Sequence, residues 1–193
     1  PLYGRRMKNT AGFERNVSFF TRNHRGGYKS DYMVSNVIQK NGFFPGAHGI
    51  PDISRLQDDG DNRNIELPFS KVNHVKFTTH QQYVWEKVLL SADLGFQNNH
   101  REEWSLFHTH YGTQSPPEQD PDKELAFELN TFSTSVRLRL FGFSFWEHTV
   151  GWDVQHQRNA ISGYAFLLPE YHRFSTGLLW LTTYRPNNSF SVS

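Results

Sequence analysis

Residues Val88–Asn99 read Val-Leu-Leu-Ser-Ala-Asp-Leu-Gly-Phe-Gln-Asn-Asn. Leu90, Ala92, Leu94 and Phe96 alternate with Ser91, Asp93, Gly95 and Gln97. Successive side chains of an extended strand point to opposite faces, so this alternation specifies a strand with one apolar and one polar face. The pattern recurs on both sides of the stretch. Thr131–Phe141 sets Phe132, Val136, Leu138 and Leu140 against Ser133, Ser135, Arg137 and Arg139. Trp146–Gln157 sets Trp146, Val150, Trp152 and Val154 against Glu147, Thr149, Gly151, Asp153 and Gln155. Val72–Trp85 sets Val75, Phe77, Tyr83 and Trp85 against His74, Lys76, His80 and Gln82. His172–Tyr184 is apolar on both faces over Leu178–Leu181, and Phe13–Phe20 and Ser30–Gln39 alternate more weakly. No segment sustains the apolar i, i+3, i+4, i+7 spacing of an amphipathic helix. The pattern predicts an all-β chain of about seven antiparallel strands.

The connections alternate in length. Short ones are expected at Asn23–Tyr28 around Gly26–Gly27, at Trp85–Lys87, at Phe141–Phe145 and at Pro186–Ser189. Long stretches rich in Gly, Pro and Asp separate them: Asn41–Ser70, Thr109–Lys123 and Ser162–Tyr171. No repeat of solenoid length and no domain boundary interrupts the series.

Composition narrows the class. The chain has 193 residues, 20 Lys+Arg against 19 Asp+Glu, and no cysteine. The absence of cysteine excludes a disulfide scaffold, a Cys-ligated zinc module and a thiol nucleophile. A net charge of +1 argues against a nucleic-acid partner held by bulk electrostatics. No apolar run is long enough for a transmembrane helix. The chain opens on Pro1 without a signal peptide, as expected of a mature or partial product. Aromatics reach 16%, yet the mean hydropathy is −0.67. Many aromatics in a polar chain is an unusual pairing for a water-soluble core.

A two-faced strand has two readings. In a soluble sandwich the apolar face is the core; in a membrane barrel it meets lipid and the polar face lines the lumen. Three features favour the barrel. The segments are longer than the five or six residues typical of globular strands and match a tilted membrane span. Short turns lie on one side and long loops on the other. Tyr83, Trp85, Trp146 and Tyr184 sit beside the short turns, where amphipathic rings would form an interfacial girdle. Lys76, Asp93, Arg137, Arg139 and Asp153 then fall on the lumen face, where water, a plug or one another can satisfy them.

The loops carry a resemblance. Gly42-Phe43-Phe44-Pro45-Gly46-Ala47-His48-Gly49-Ile50-Pro51 is followed by Arg55-Leu56-Gln57-Asp58-Asp59-Gly60-Asp61, then by Gln97-Asn98-Asn99-His100-Arg101-Glu102-Glu103-Trp104-Ser105, Gly163-Tyr164-Ala165-Phe166-Leu167-Leu168-Pro169-Glu170-Tyr171 and Tyr184-Arg185-Pro186. Over roughly Ser30–Pro186 this ordered set resembles the barrel of a TonB-dependent outer-membrane receptor, of the iron-complex type found in the Bacteroidetes lineage. The resemblance implies a barrel of about 22 strands filled by an N-terminal plug. It implies a place in the outer membrane of a Gram-negative bacterium, in contact with its lipid. It also implies uptake of a scarce nutrient, a ferric siderophore or haem foremost, driven by a TonB-type energy-coupling protein. Neither a plug nor a coupling box is visible in the sequence, so the chain is expected to be an internal section whose plug and remaining strands lie elsewhere in the receptor.

Several residues are candidates for ligand contact. His108 and His110 form an H-x-H pair followed by Tyr111; in extended chain both imidazoles share a face and would meet one iron, haem or metal ion, unless they are simply a polar loop rim. Phe43, Phe44 and His48, and likewise Tyr164, Phe166 and Tyr171, would either fold over the mouth or anchor their own loops. Asp58, Asp59 and Asp61 lack the Glu that an EF-hand loop needs at its twelfth position and read as a solvated acidic turn. Lys76, Arg137, Arg139 and Asp153 would steer an anion or grip a plug, or pair across strands. No catalytic motif is present: no G-x-S-x-G, H-E-x-x-H or phosphate-binding loop. The chain is therefore expected to be a non-enzyme without a cofactor. The rival expectations are a soluble β-sandwich that binds carbohydrate or mediates adhesion, and a passive porin-type barrel.

Overall fold

A computed structural model describes residues 8–44, 63–109, 114–143, 145–165, 169–187 and 190–192. They form one antiparallel sheet in chain order: β1 (Gly12–Arg25), β2 (Tyr28–Gly42), β3 (Phe69–Trp85), β4 (Val88–Trp104), β5 (Lys123–Phe143), β6 (Trp146–Ser162), β7 (Tyr171–Asn187) and β8 (Phe190–Val192). Each strand pairs only with its neighbours in sequence, so every second connection lies at the same end. The short turns gather at one end and the long loops at the other, as expected.

Eight strands are present rather than seven. β8 spans only Phe190–Val192, less than two periods of alternation, and so left no pattern to read. β5 begins at Lys123 rather than Thr131. The reason is a reversal of polarity along the strand. From Thr131 onward the apolar residues share the face of Phe132, but nearer the loops Leu125, Phe127 and Leu129 occupy the opposite face and Glu128 and Asn130 take their place. An alternation that changes phase looks like a strand end.

Register turns the separate strands into rows. Phe19, Val34, Phe77, Phe96, Phe132, His156 and Phe174 stand side by side across β1–β7. Toward the short turns on that face lie Leu94, Ala92, Leu90 and Val88 of β4, then Val136, Leu138 and Leu140 of β5, Val154, Trp152 and Val150 of β6, and Leu178 and Trp180 of β7. An aromatic margin closes the band at the turns. Tyr83 and Trp85 lie 5.4 Å apart between ring centres, and Trp146 and Tyr184 lie 4.6 Å apart. On β2 and β3 the same heights carry Ser30, Thr79 and Gln81. The Tyr28 hydroxyl donates to Gln81, Gln81 donates to Thr79, and Ser30 and Thr79 are buried.

Among the described residues nothing packs against the band. Trp180 is 77% exposed and Leu178 is 86% exposed. The only buried apolar side chains among the described residues are Leu125 and Ala126, at the loop end. No second sheet covers either face, so the described residues do not form a sandwich.

The polar face is concave. A single cavity of about 600 Å³ is lined from Phe20 on β1 to Gly177 on β7, by way of Asp31, His80, Asp93, Ser133 and Gln155. One cavity can touch seven consecutive strands only if the sheet curls round it. The curl does not close: β1 pairs only with β2, and β8 only with β7. The sheet is an open wall rather than a complete barrel.

Candidate functional site

Two of the residues singled out as loop candidates meet at the loop end. Ser105, just past β4, is buried, and its hydroxyl donates to Glu124 Oε2 at 2.8 Å. With its proton so committed, Ser105 Oγ accepts from the Tyr164 hydroxyl at 2.7 Å. His108 Nδ1 lies 3.0 Å from the Leu106 carbonyl, to which it donates, and 3.2 Å from the Tyr164 hydroxyl. Tyr164 also meets Phe107 edge-on at 5.0 Å and His108 at 5.8 Å between ring centres. Burial holds its phenol above the ordinary value, and the charge of Glu124 adds to this while the Ser105 hydrogen bond offsets part of it.

The backbone delivers Tyr164 to this place. Gly163 adopts φ +108°, open to glycine and strained for other residues. A Cβ there would stand 2.5 Å from the Glu124 carbonyl oxygen. Tyr164 N and Ala165 N then donate to the Lys123 and Glu124 carbonyls at 3.2 and 2.8 Å, carrying the β5–β6 ladder into the loop. The stretch after β4 is fastened as well: Ser105 N donates to the Asp122 carbonyl at 2.9 Å. His108 and Tyr164 thus lie in a knot that ties two long loops to the start of β5.

Phe43 and Phe44 follow β2 at the same end, and Phe43 is exposed. The described part of their segment is held by Asn9. Asn9 is buried, its side-chain amide donates to the carbonyls of Phe43, Glu66 and Pro68 at 2.8–3.0 Å, and its Oδ1 accepts from Glu66 N at 2.8 Å. Phe43 N completes the clamp by donating to the Pro68 carbonyl. Tyr171 opens β7, opposite Asn159. His48, His110, Tyr111 and Phe166, and the acidic group Asp58, Asp59 and Asp61, lie outside the described residues. The described residues contain no cluster of three His, Cys, Asp or Glu side chains able to hold a metal ion.

Lys76, Asp93, Arg137, Arg139 and Asp153 all project from the concave face, as their alternation required. Four of the five are engaged by neighbouring strands. Arg137 grips Asp153 with both oxygens at 2.9 and 2.7 Å, His80 Nδ1 lies 2.7 Å from Asp93, and Arg139 Nε lies 2.5 Å from Glu147. Arg137 reaches both oxygens from Nη2 alone, whereas Arg22 donates from two nitrogens, Nε to Asp31 Oδ1 at 2.7 Å and Nη2 to Oδ2 at 2.8 Å. Gly151 makes room for the Arg137 pair, since a Cβ there would meet Arg137 Cδ at 2.5 Å. Lys76 forms no ion pair among the described residues; it stands in a row with Gln97, Thr131, Gln157 and Arg173.

Sequence reasoning found the polar face and its charges but missed Asn9, Ser105 and Glu124. Each is a single polar residue outside any spacing pattern, and only the fold brings it to its partners. No protein-family model matches the chain, and neither does a curated protein or a solved structure. The receptor resemblance rests on the residues quoted for it.

Proposed function

We propose that the chain is a section of a transmembrane β-barrel wall in a bacterial outer membrane. In keeping with its likeness to TonB-dependent receptors, it would serve in binding and importing a scarce nutrient, a ferric siderophore or haem foremost. One observation carries the membrane reading. The convex face bears an apolar band in register across β4–β7, edged by a phenylalanine row on the loop side and by Trp and Tyr on the turn side. The opposite face is concave, polar and ion-paired. Val88–Phe96 and Phe174–Tyr184 have the length of a strand of about 9–11 residues that crosses hydrocarbon at a tilt. Polar groups at band height hydrogen-bond to one another, as a medium without water demands.

In this role the knot around Tyr164 and the clamp around Asn9 hold the loops that face the ligand, and the concave wall faces a plug contributed by another part of the receptor. A TonB-type partner would then act on that plug. A passive pore is the second reading. It is favoured by the cross-strand pairing of Asp93, Arg137, Arg139 and Asp153, which leaves few wall charges for a plug to satisfy.

The chain has no cysteine, so single cysteines report cleanly. Cysteines at Leu90, Leu94 and Leu138 in the refolded, bilayer-inserted protein should resist a water-soluble maleimide, whereas those at Ser91, Ser133 and Gln155 should react. Equal reaction at both sets would refute the barrel wall. Steady conductance through planar bilayers by the whole receptor would select the pore over the plugged importer.

A further inference from the structure

His156, Arg158 and His172 stand together on the convex face of β6 and β7, at the loop-side margin of the apolar band. Arg158 faces His172 directly across the strand pair, and His156 faces Phe174. The two imidazoles lie 6.4 Å apart between ring centres. All three side chains are exposed. Toward the turns, the same face of these strands continues as Val154, Trp152 and Val150 on β6 and as Phe174, Leu178 and Trp180 on β7, with Thr176 bonded to the Trp152 indole.

The cluster has no carboxylate partner among the described residues. Asn130 faces Arg158 from β5, and Glu128, next to it, faces Ala160. Glu128 Oε1 accepts from Asn98 at 2.9 Å and from Asn130 at 3.4 Å. Glu170, above the cluster, accepts from Ile161 N at 3.4 Å. On the concave face Arg22, His80, Arg137 and Arg139 have carboxylates, and so does Lys71 on the convex one, whereas Lys76 forms no ion pair among the described residues. Arg158 is thus an exposed guanidinium flanked by two imidazoles at an apolar margin.

We propose that His156, Arg158 and His172 bind the phosphate of a membrane lipid headgroup, whose chains lie along Phe174, Trp152 and Leu178. This proposal rests on the barrel reading. A guanidinium presents a planar donor fork that matches phosphate oxygens two at a time, and imidazole N–H groups supply further donors. The position fits as well. A headgroup lies just beyond the hydrocarbon; His156 stands in the phenylalanine row, and Arg158 and His172 stand one step beyond it. Asn130 is a neutral neighbour on the β5 side, while Glu128 and Glu170, nearer the loops, are held by hydrogen bonds of their own.

The tryptophans on the band make a direct assay. The full receptor containing this section is inserted into vesicles of phosphatidylcholine, and its tryptophan fluorescence is quenched by brominated phosphatidic acid or by brominated phosphatidylcholine. The wild type should bind phosphatidic acid several-fold more strongly. Arg158→Gln should cut the preference by about fivefold, the effect of one basic side chain near an anionic surface. The triple change His156→Gln, Arg158→Gln, His172→Gln should bring it to parity while quenching by phosphatidylcholine stays intact, which shows that the variant is still inserted. Lys71→Gln, on the same face but farther from the band, should leave the preference unchanged. A preference that survives the triple change, is absent from the wild type, or falls equally in Lys71→Gln overturns the site. If brominated phosphatidylcholine fails to quench the wild type, the barrel reading itself fails and takes this site with it.

Discussion

Gly163 and Gly177 offer the same missing side chain to two different surroundings. At Gly163 the backbone has φ +108° and a Cβ would strike the Glu124 carbonyl; at Gly177, in β7, nothing lies within 4 Å. Gly163→Ala should therefore cost roughly 1–3 kcal/mol, the range for a residue forced into a sparsely populated conformation. Because Tyr164 follows directly, it should also loosen the loop knot. Gly177→Ala should stay within about 0.5 kcal/mol. Denaturant unfolding of the two variants, with limited chymotrypsin cleavage near Tyr164, checks both. The pH dependence of the knot follows from the raised Tyr164 phenol. A group raised by folding lends stability that is fully present below its unfolded value and is lost as pH rises through the folded one. Stability should thus fall above the ordinary tyrosine range, and Tyr164→Phe should flatten that fall. Little of this was legible in the sequence. His108 and Tyr164 drew attention as an H-x-H member and an aromatic in a glycine-rich loop, but Ser105 and Glu124, which join them, belong to no spacing pattern.

The strands were legible because alternation is a local property that each strand displays alone. Val88–Asn99 needed no neighbour to reveal its two faces. Register is not local, so the phenylalanine row from Phe19 to Phe174 emerges only when seven strands are aligned. The same holds for the charges: Arg137 and Asp153 were placed on one face from sequence, whereas their pairing depends on which residues stand opposite. The two faces of an element should respond differently to the same change. On the barrel reading, Val136→Arg puts a charge midway along the lipid-facing band, between Phe132 and Leu140, and should cost about 2–4 kcal/mol, whereas Gln155→Arg, on the concave face, should be nearly neutral. Unfolding from bilayers rather than detergent is the measurement to compare. Beyond the band, Glu102 on β4 offers a second pH test. Burial works against its ionisation, but hydrogen bonds from His100 and Trp104 and the nearby Lys71 together outweigh it and hold the carboxyl below the usual range. Its contribution is present above the unfolded carboxylate value and lost as pH falls through the folded one. Glu102→Gln should accordingly reduce the acid-side slope of stability.

At the scale of the whole molecule the decisive property is openness. β1 offers an unpaired edge of 14 residues whose side chains are exposed along its length. Such an edge is a template for another strand. In the isolated chain, the β1 amides that point away from β2 should exchange with solvent far faster than the amides shared by β4 and β5, as hydrogen–deuterium exchange read by NMR would show. On the receptor reading, protection of that outer set in the full-length protein would locate the neighbouring strand. On the barrel reading, the apolar band also fixes the depth at which the wall sits. Side chains on one face recur every second residue, so sliding a tilted strand by one step moves it by about 5 Å along the membrane normal. A step toward the turns would drag Asn36, Asn98, Asn130 and Arg158 into the oil. A step toward the loops would strand Trp146 and Tyr184 in water. The wall thus carries a painted waterline: phenylalanine and cations above, indole and phenol below, and one draught at which it floats.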